Sequence, residues 1–209
     1  MKHIRDFALA GAMRPADRCY SACLRLAGAV FLSVLLGAAN AQAAQSSATM
    51  HALQEAHWVA EGSARPRHVL YIFIDANCPF CHKLWLGLQP YYRKGLQVRD
   101  LLVGVIAPSS PAKAAAIIDA RDPAGALRTN ELHWGSRSDG GGGIAPVAHP
   151  SDEDLRILAH NLALMHGFGF PGTPGLVYTD AQGQLHGLEG SPGANQLGQI
   201  VRAAAVPEH

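Results

Sequence analysis

The apolar positions of this chain change period several times, and each change marks an element. Leu53, Ala56, Val59 and Ala60 recur at helical spacing with Trp58 beside them, so a helix is expected up to Gly62. After Pro66, Val69-Leu70-Tyr71-Ile72-Phe73-Ile74 is a continuous β-branched and aromatic run, the pattern of a central strand buried on both faces. Asp75-Ala76-Asn77 interrupts it. A helix then opens at the cysteine pair. Pro79 stands near its first position, where a missing N–H costs little, and Leu84, Trp85 and Leu88 form its apolar stripe. Val98 to Ile106 reads as a second strand, closed by Pro108.

Ser110-Pro111 caps an Ala-rich helix through about Ala120, and Asp122-Pro123 opens another towards Trp134. Residues 135–150 hold two prolines and the run Asp139-Gly140-Gly141-Gly142-Gly143. No Lys-Ser/Thr follows those glycines, so they predict a mobile loop tip and not a phosphate loop. Ser151 and Asp154 frame a helix start, with Leu155, Leu158, Leu162 and Met165 on one face and Gly167 as its stop. Gly175 to Thr179 and Gln184 to Leu188 form a hairpin over Asp180-Ala181-Gln182-Gly183, and Ser191-Pro192 caps a last helix through Ala205. This order predicts an α/β fold, thioredoxin-like, with an inserted helical block at about 108–167. The domain is expected over residues 63–209, preceded at 44–62 by a leader, flexible over 45–50, and a linker-like helix.

Composition adds the compartment. With 48% hydrophobic and 16% charged residues among 209, the chain can bury a core and is not of the disordered class. Its net charge of +1 hides a split, because residues 1–43 carry five Lys/Arg against two Asp/Glu and leave the remainder near −2. That balance points away from nucleic acid and anionic membranes as partners. Lys2, Arg5, Arg14, Arg18 and Arg25 precede an uncharged apolar stretch, Leu26 to Ala39, and then Ala39-Asn40-Ala41 and Ala41-Gln42-Ala43. These are the parts of a signal peptide over 1–43, cleaved after Ala41 or Ala43. The apolar stretch falls short of the roughly 20 residues of a membrane anchor. Export to the periplasm is expected.

Cys19 and Cys23 lie in the segment to be removed, so the mature chain keeps Cys78 and Cys81. Free thiols are unusual in an oxidising compartment unless they react, and a disulfide across so short a loop is a poor staple. A cysteine at a helix start has its thiolate favoured by the helix dipole and the unpaired N–H groups. Cys78 is therefore expected as the exposed, attacking sulfur, and Cys81, one turn further in, as the shielded, resolving one. Cys78-Pro79-Phe80-Cys81-His82 also satisfies the attachment pattern of a c-type haem, which would take His82 as an axial ligand and Met165 or Met50 as the other. The strand feeding the motif and Pro79 favour the dithiol. The remaining histidines form no tight pair, and neither metal nor cofactor is expected.

The segments Phe73 to Trp85, Leu101-Leu102-Val103-Gly104-Val105-Ile106 and Gly172-Thr173-Pro174 resemble the catalytic domain of the DsbC/DsbG family. Pro79 with an aromatic at 80, and Ser110-Pro111-Ala112-Lys113-Ala114-Ala115-Ala116, bring it closer to the DsbG branch. The resemblance covers roughly residues 50–205. It implies that Cys78 and Cys81 form a redox-active disulfide and carry thiol–disulfide exchange. It further implies that Pro174 is cis beside them and that Thr173 and Pro174, with Pro79 and Phe80, shape a substrate groove. The implied enzyme is a thiol:disulfide oxidoreductase acting as reductase, isomerase or rescuer of sulfenylated cysteines. Its implied partners are exported proteins with disulfides or oxidised cysteines, and a membrane thiol reductant or oxidant that recycles the pair. A net oxidase, a c-type cytochrome and a redox-inactive binding module are the alternatives.

Two departures from the family shape the expectations. Only about 20 residues separate the signal from the first strand, too few for the family's dimerisation domain, so a monomer is expected and residues 48–61 read as a remnant of the linker. Position 72 is Ile, where some thioredoxin relatives hold a buried acid. Asp75 and Lys83 are the nearest charged residues, and surface or structural roles are expected for both.

Overall fold

The computed structural model describes residues 47–207, so the expected signal segment lies outside the described residues. Helix α1 (residues 47–55) leads into strands β1 (Val59–Gly62) and β2 (His68–Ile74). Then come α2 (Pro79–Tyr92) and β3 (Leu96–Leu102). Three helices follow, α3 (Ser110–Ile118), α4 (Pro123–Leu132) and α5 (Asp152–Gly167). The chain closes with β4 (Gly175–Thr179), β5 (Leu185–Glu189) and α6 (Ala194–Ala203). Among the described residues no helix is long and apolar enough to cross a membrane.

The strands form one sheet in the order β1-β3-β2-β4-β5, with β2 and β3 parallel and the other pairs antiparallel. β2 is central and buried on both faces of the sheet, which is why its sequence is apolar throughout rather than alternating. Its side chains still divide by the two-residue period. Leu70, Ile72 and Ile74 join a cluster with Cys78, Cys81, Leu84 and Leu88 near α2 and Leu197, Ile200 and Val201 of α6. Val69, Tyr71 and Phe73 join the opposite cluster, with Met50 and Leu53 of α1, Met165 of α5, and Phe170.

The first expected helix is a helix and then a strand. Leu53 and Ala56 keep the helical reading, and α1 reaches back to residue 47 because Met50 is buried with them. Val59 and Glu61 are buried in alternation with exposed Ala60 and Gly62, and the four residues pair antiparallel with Gln97 to Asp100. Pairing on an open sheet edge overrides a short local periodicity. Gly62 closes the strand at φ +91°, where a Cβ would come within 2.4 Å of Leu96 O. The linker-like reading of 44–62 is corrected to that extent: residues 47–62 are part of the core and the sheet.

β3 ends at Leu102 instead of Ile106, because the N–H groups of Val105 and Ile106 turn to the carboxylate of Asp75 (2.5 and 2.9 Å). On α5 the buried positions are Asp154, Leu158, Asn161 and Met165, and Leu155 is 47% exposed. α6 starts at Ala194 with Gly193, not Ser191, as its N-cap. The glycine run lies against the end of β2: Gly142 N–H donates to Ala76 O (3.1 Å), and a Cβ on Gly141 would sit 2.3 Å from Asn77 Oδ1. Close approach, not a free loop tip, is what those glycines serve.

Candidate active site

The turn between β2 and α2 is built almost entirely from satisfied polar groups. Asp75 is buried, and its Oδ1 accepts from Asn77 N–H (2.8 Å) and Ser110 Oγ (2.7 Å) while Oδ2 takes the two N–H groups beyond β3. The carbonyl of Asp75 accepts from Cys78 N–H (3.0 Å), and that of Ala76 accepts from Asn130 Nδ2 (3.0 Å) as well as from Gly142. Buried donors and acceptors that are all paired define one backbone course. That course delivers Cys78 to the N-cap of α2, with Pro79 in the first turn.

Cys78 Sγ accepts from Cys81 N–H (3.3 Å), as an N-cap side chain does, and lies 3.3 Å from Thr173 O, which accepts from the thiol. Hydrogen bonding with Cys81 draws the Cys78 thiol down to about 6 against the effect of burial, helped by Thr173 and the backbone N–H groups of Phe80 and Cys81. Burial, and then the neighbouring Cys78 sulfur, push Cys81 well above the ordinary thiol value. Both residues are buried, Cys78 at 1% and Cys81 at 4% exposed, although the Cys81 thiol lies the deeper of the two. The expectation of an exposed Cys78 is corrected, while Cys81 remains the more shielded thiol. What separates them most is charge preference, set by the N–H groups that Cys78 faces and by the deeper burial of Cys81.

The Thr173–Pro174 peptide bond is cis, and Pro174 leads directly into β4. Antiparallel pairing of Phe73 with Gly175 brings that junction beside the end of β2, and so Thr173 O reaches Cys78. Pro79 and Phe80 are exposed beside the sulfurs, Phe80 at 61%. Of the groups considered for a haem, His82 is engaged by Glu131 Oε2 (2.8 Å) and stacks on Trp134 (4.6 Å between centroids). Met50 and Met165 lie in the cluster on the far face of the sheet from the cysteines, which leaves that reading without its second ligand. Among the described residues no three His, Cys, Asp or Glu side chains are disposed to hold a metal ion.

A family model described as a thioredoxin-like domain matches residues 53–205. The chain belongs to the thioredoxin-like domain family. It is 33% identical over 150 residues to the thiol:disulfide interchange protein DsbG of Pseudomonas aeruginosa, a match covering 71% of this chain and 57% of that protein. DsbG of Escherichia coli is also 33% identical over 150 residues, with 71% of this chain and 58% of that protein covered. The chain thus spans under three fifths of the length of the curated relatives it matches. The catalytic domain of ScsC from Proteus mirabilis superposes with a TM-score of 0.59 at 23% identity, covering 76% of this chain and 96% of that domain. The expected α/β thioredoxin-like fold and the resemblance to DsbG are both borne out.

This thioredoxin-like domain holds buried acids that its sequence did not disclose. Position 72 is Ile, but Asp100 lies in register with it on the neighbouring strand, and Glu61 lies on the same face of β1. Glu61 Oε2 accepts from Trp85 Nε1 (2.8 Å) and Tyr92 OH (3.3 Å). Burial raises Glu61 to about 7, and burial with the nearby Glu61 charge raises Asp100 well above the usual carboxylate range. Glu131 is raised by burial against the opposing hydrogen bond from His82. Among the described residues neither Glu61 Oε1 nor Asp100 Oδ2 has a hydrogen-bond partner. Their signal was the alternation of Val59 with Glu61, visible only once the segment is known to be a strand.

Proposed function

We propose that this chain is a periplasmic thiol:disulfide oxidoreductase in which Cys78 is the nucleophile and Cys81 the resolving cysteine. The observation that carries this reading is Cys78 at the N-cap of α2, its sulfur accepting from Cys81 N–H (3.3 Å), an arrangement that draws the Cys78 thiol down to about 6 while burial pushes Cys81 up. At neutral pH the first is a thiolate and the second holds its proton. The Cys78 thiolate attacks a substrate disulfide, forming a mixed disulfide and expelling one substrate thiolate. Cys81 then gives up its proton and attacks the Cys78 sulfur. The Cys78–Cys81 disulfide forms, the second substrate thiolate leaves, and two electrons have passed to the substrate. On a sulfenylated cysteine the first step expels hydroxide, which takes a proton from solvent and leaves as water. Thr173, Pro174, Pro79 and Phe80 form the rim on which an extended substrate segment rests.

The substrates in this reading are exported proteins with disulfides or oxidised cysteines, and a membrane thiol reductant or oxidant recycles the pair. The protein works as a monomer, better at reduction than at isomerisation, which needs a substrate held through successive exchanges. The similarity to DsbG and the signal-like N-terminus support the compartment. Alkylation of the reduced protein followed across pH tests the roles: Cys78 should be labelled first, with a midpoint close to 6. Preferential labelling of Cys81 overturns them. Cys81→Ala should accumulate mixed disulfides with exported proteins, and Cys78→Ala should accumulate none.

A further inference from the structure

Lys113 on α3 is wholly buried, at 0% exposure, although nothing in thiol exchange asks for a lysine there. A buried ammonium must have its protons placed on acceptors. Nζ donates to Asn77 Oδ1 (2.9 Å), Gly140 O (2.9 Å) and Gly142 O (2.8 Å), and Asp139 Oδ2 lies 3.0 Å away as counter-charge. The hydrogen bond with Lys113 holds the Asp139 carboxyl below its usual range. An apolar side chain of the same length would fill this space without the cost of enclosing a charge. The charge therefore answers to what it grips.

What it grips is the residue before the N-cap. Asn77 is held from every side: its N–H by Asp75, its Nδ2 by Ser109 Oγ (3.1 Å) and Ser110 Oγ (3.0 Å), and its Oδ1 by Lys113. The glycine loop closes over the same residue, so tightly that positions 141 and 142 have no room for a Cβ. A Cβ at Gly141 would meet Asn77 Oδ1 at 2.3 Å, and one at Gly142 would meet Asn130 Oδ1 at 2.0 Å. One residue later, Cys78 must present its sulfur to the N–H of Cys81, a bond whose strength falls steeply with misalignment.

We propose that Lys113 is a positioning residue for the dithiol, acting through Asn77 and the 140–142 loop to fix the turn that aims Cys78 at the first N–H groups of α2. The proposal rests on the reading of Cys78 as the nucleophile.

The test is alkylation of the reduced full chain by iodoacetamide across pH, read by mass spectrometry at each cysteine. Lys113→Met should slow labelling of Cys78 at pH 6 by about fivefold, the loss expected when a thiol midpoint moves up by about one unit. Asn77→Ala should give a shift of the same size, and the double variant no more than either, because both act along one path. If Lys113→Met does not fold, Gly141→Ala pushes Asn77 from the loop side with the ammonium left in place, and the same loss is expected. A folded variant, either Lys113→Met or Gly141→Ala, with an unchanged Cys78 profile overturns the proposal, and so does a fully additive double variant. An unreactive Cys78 in the unaltered protein would instead overturn the assignment of the nucleophile.

Discussion

The two faces of the sheet share the same strands yet differ in what they enclose. On one, Phe73 packs against the stacked rings of Phe168 (6.0 Å) and Phe170 (6.2 Å), among Met50, Leu53, Val103 and Met165. On the other, one residue along the same strand, Ile72 stands beside Asp100, and Glu61 and the two cysteines share the side. The aromatic face encloses mainly apolar surface, the Tyr71 hydroxyl being paired with Arg99, and returns stability roughly in proportion to area. The cysteine face encloses ionisable groups displaced from their ordinary values, with Glu61, Asp100 and Cys81 pushed towards their neutral forms and Cys78 towards its thiolate, so its contribution to stability depends on pH. Separating the two lets an enzyme tune thiols on one side without loosening the packing on the other.

That separation can be broken most severely at Cys78. Cys78→Ser should abolish disulfide reduction in a turbidity assay while thermal unfolding stays close to that of the reduced parent. Retained reduction would move the chemistry elsewhere. Phe73→Ala attacks the opposite face and should cost about 3–5 kcal/mol in urea unfolding. The alkylation profile of Cys78 in the folded variant should stay where it was. A shifted profile would show that the faces are coupled.

A smaller effect is expected from Glu61, with a definite sign. Its folded value of about 7 lies above the unfolded 4.5, so the folded state binds the extra proton. Its stabilising share is full below pH 4.5, declines as pH rises, and is gone above 7, a loss of up to about 3 kcal/mol. Glu61→Gln should make the fall of stability between those pH values shallower. Asp100 and Glu131, both raised, keep part of the slope. An unaltered slope would show that Glu61 does not titrate in that range. The least effect belongs to Leu155, which the helical stripe assigned to the core and which is 47% exposed. Leu155→Ala should change stability by less than about 0.5 kcal/mol.

Leu155 and Glu61 also show where reading the sequence succeeds and where it stops. The runs at Val69 to Ile74 and around Cys78 were legible because strand, turn and helix-start signals coincide there with the chemistry. So was the Ser151 capping box, which needs only residues three apart. β1 was not, since four residues paired to a partner nearly forty positions away carry no local sign of it. The grip of Lys113 was hidden for the same reason: its partners are Asn77, thirty-six positions before it, and carbonyls some thirty positions after. Contacts between distant segments, not propensities, place the acids and the lysine.

The pairing that brings Thr173 to Cys78 spans 95 positions of chain, because α3, α4 and α5 are threaded between β3 and β4. Contacts of such separation close late, after the local turns and the β2–β3 pair, since the entropy of a long loop must be overcome first. During synthesis Cys78 and Cys81 therefore leave the ribosome and enter a helix well before the loop that completes their surroundings exists. For that interval Cys78 has the N–H groups of α2 but not the Thr173 carbonyl beside it, and its surroundings are completed only when β4 pairs with β2, one of the last steps of folding.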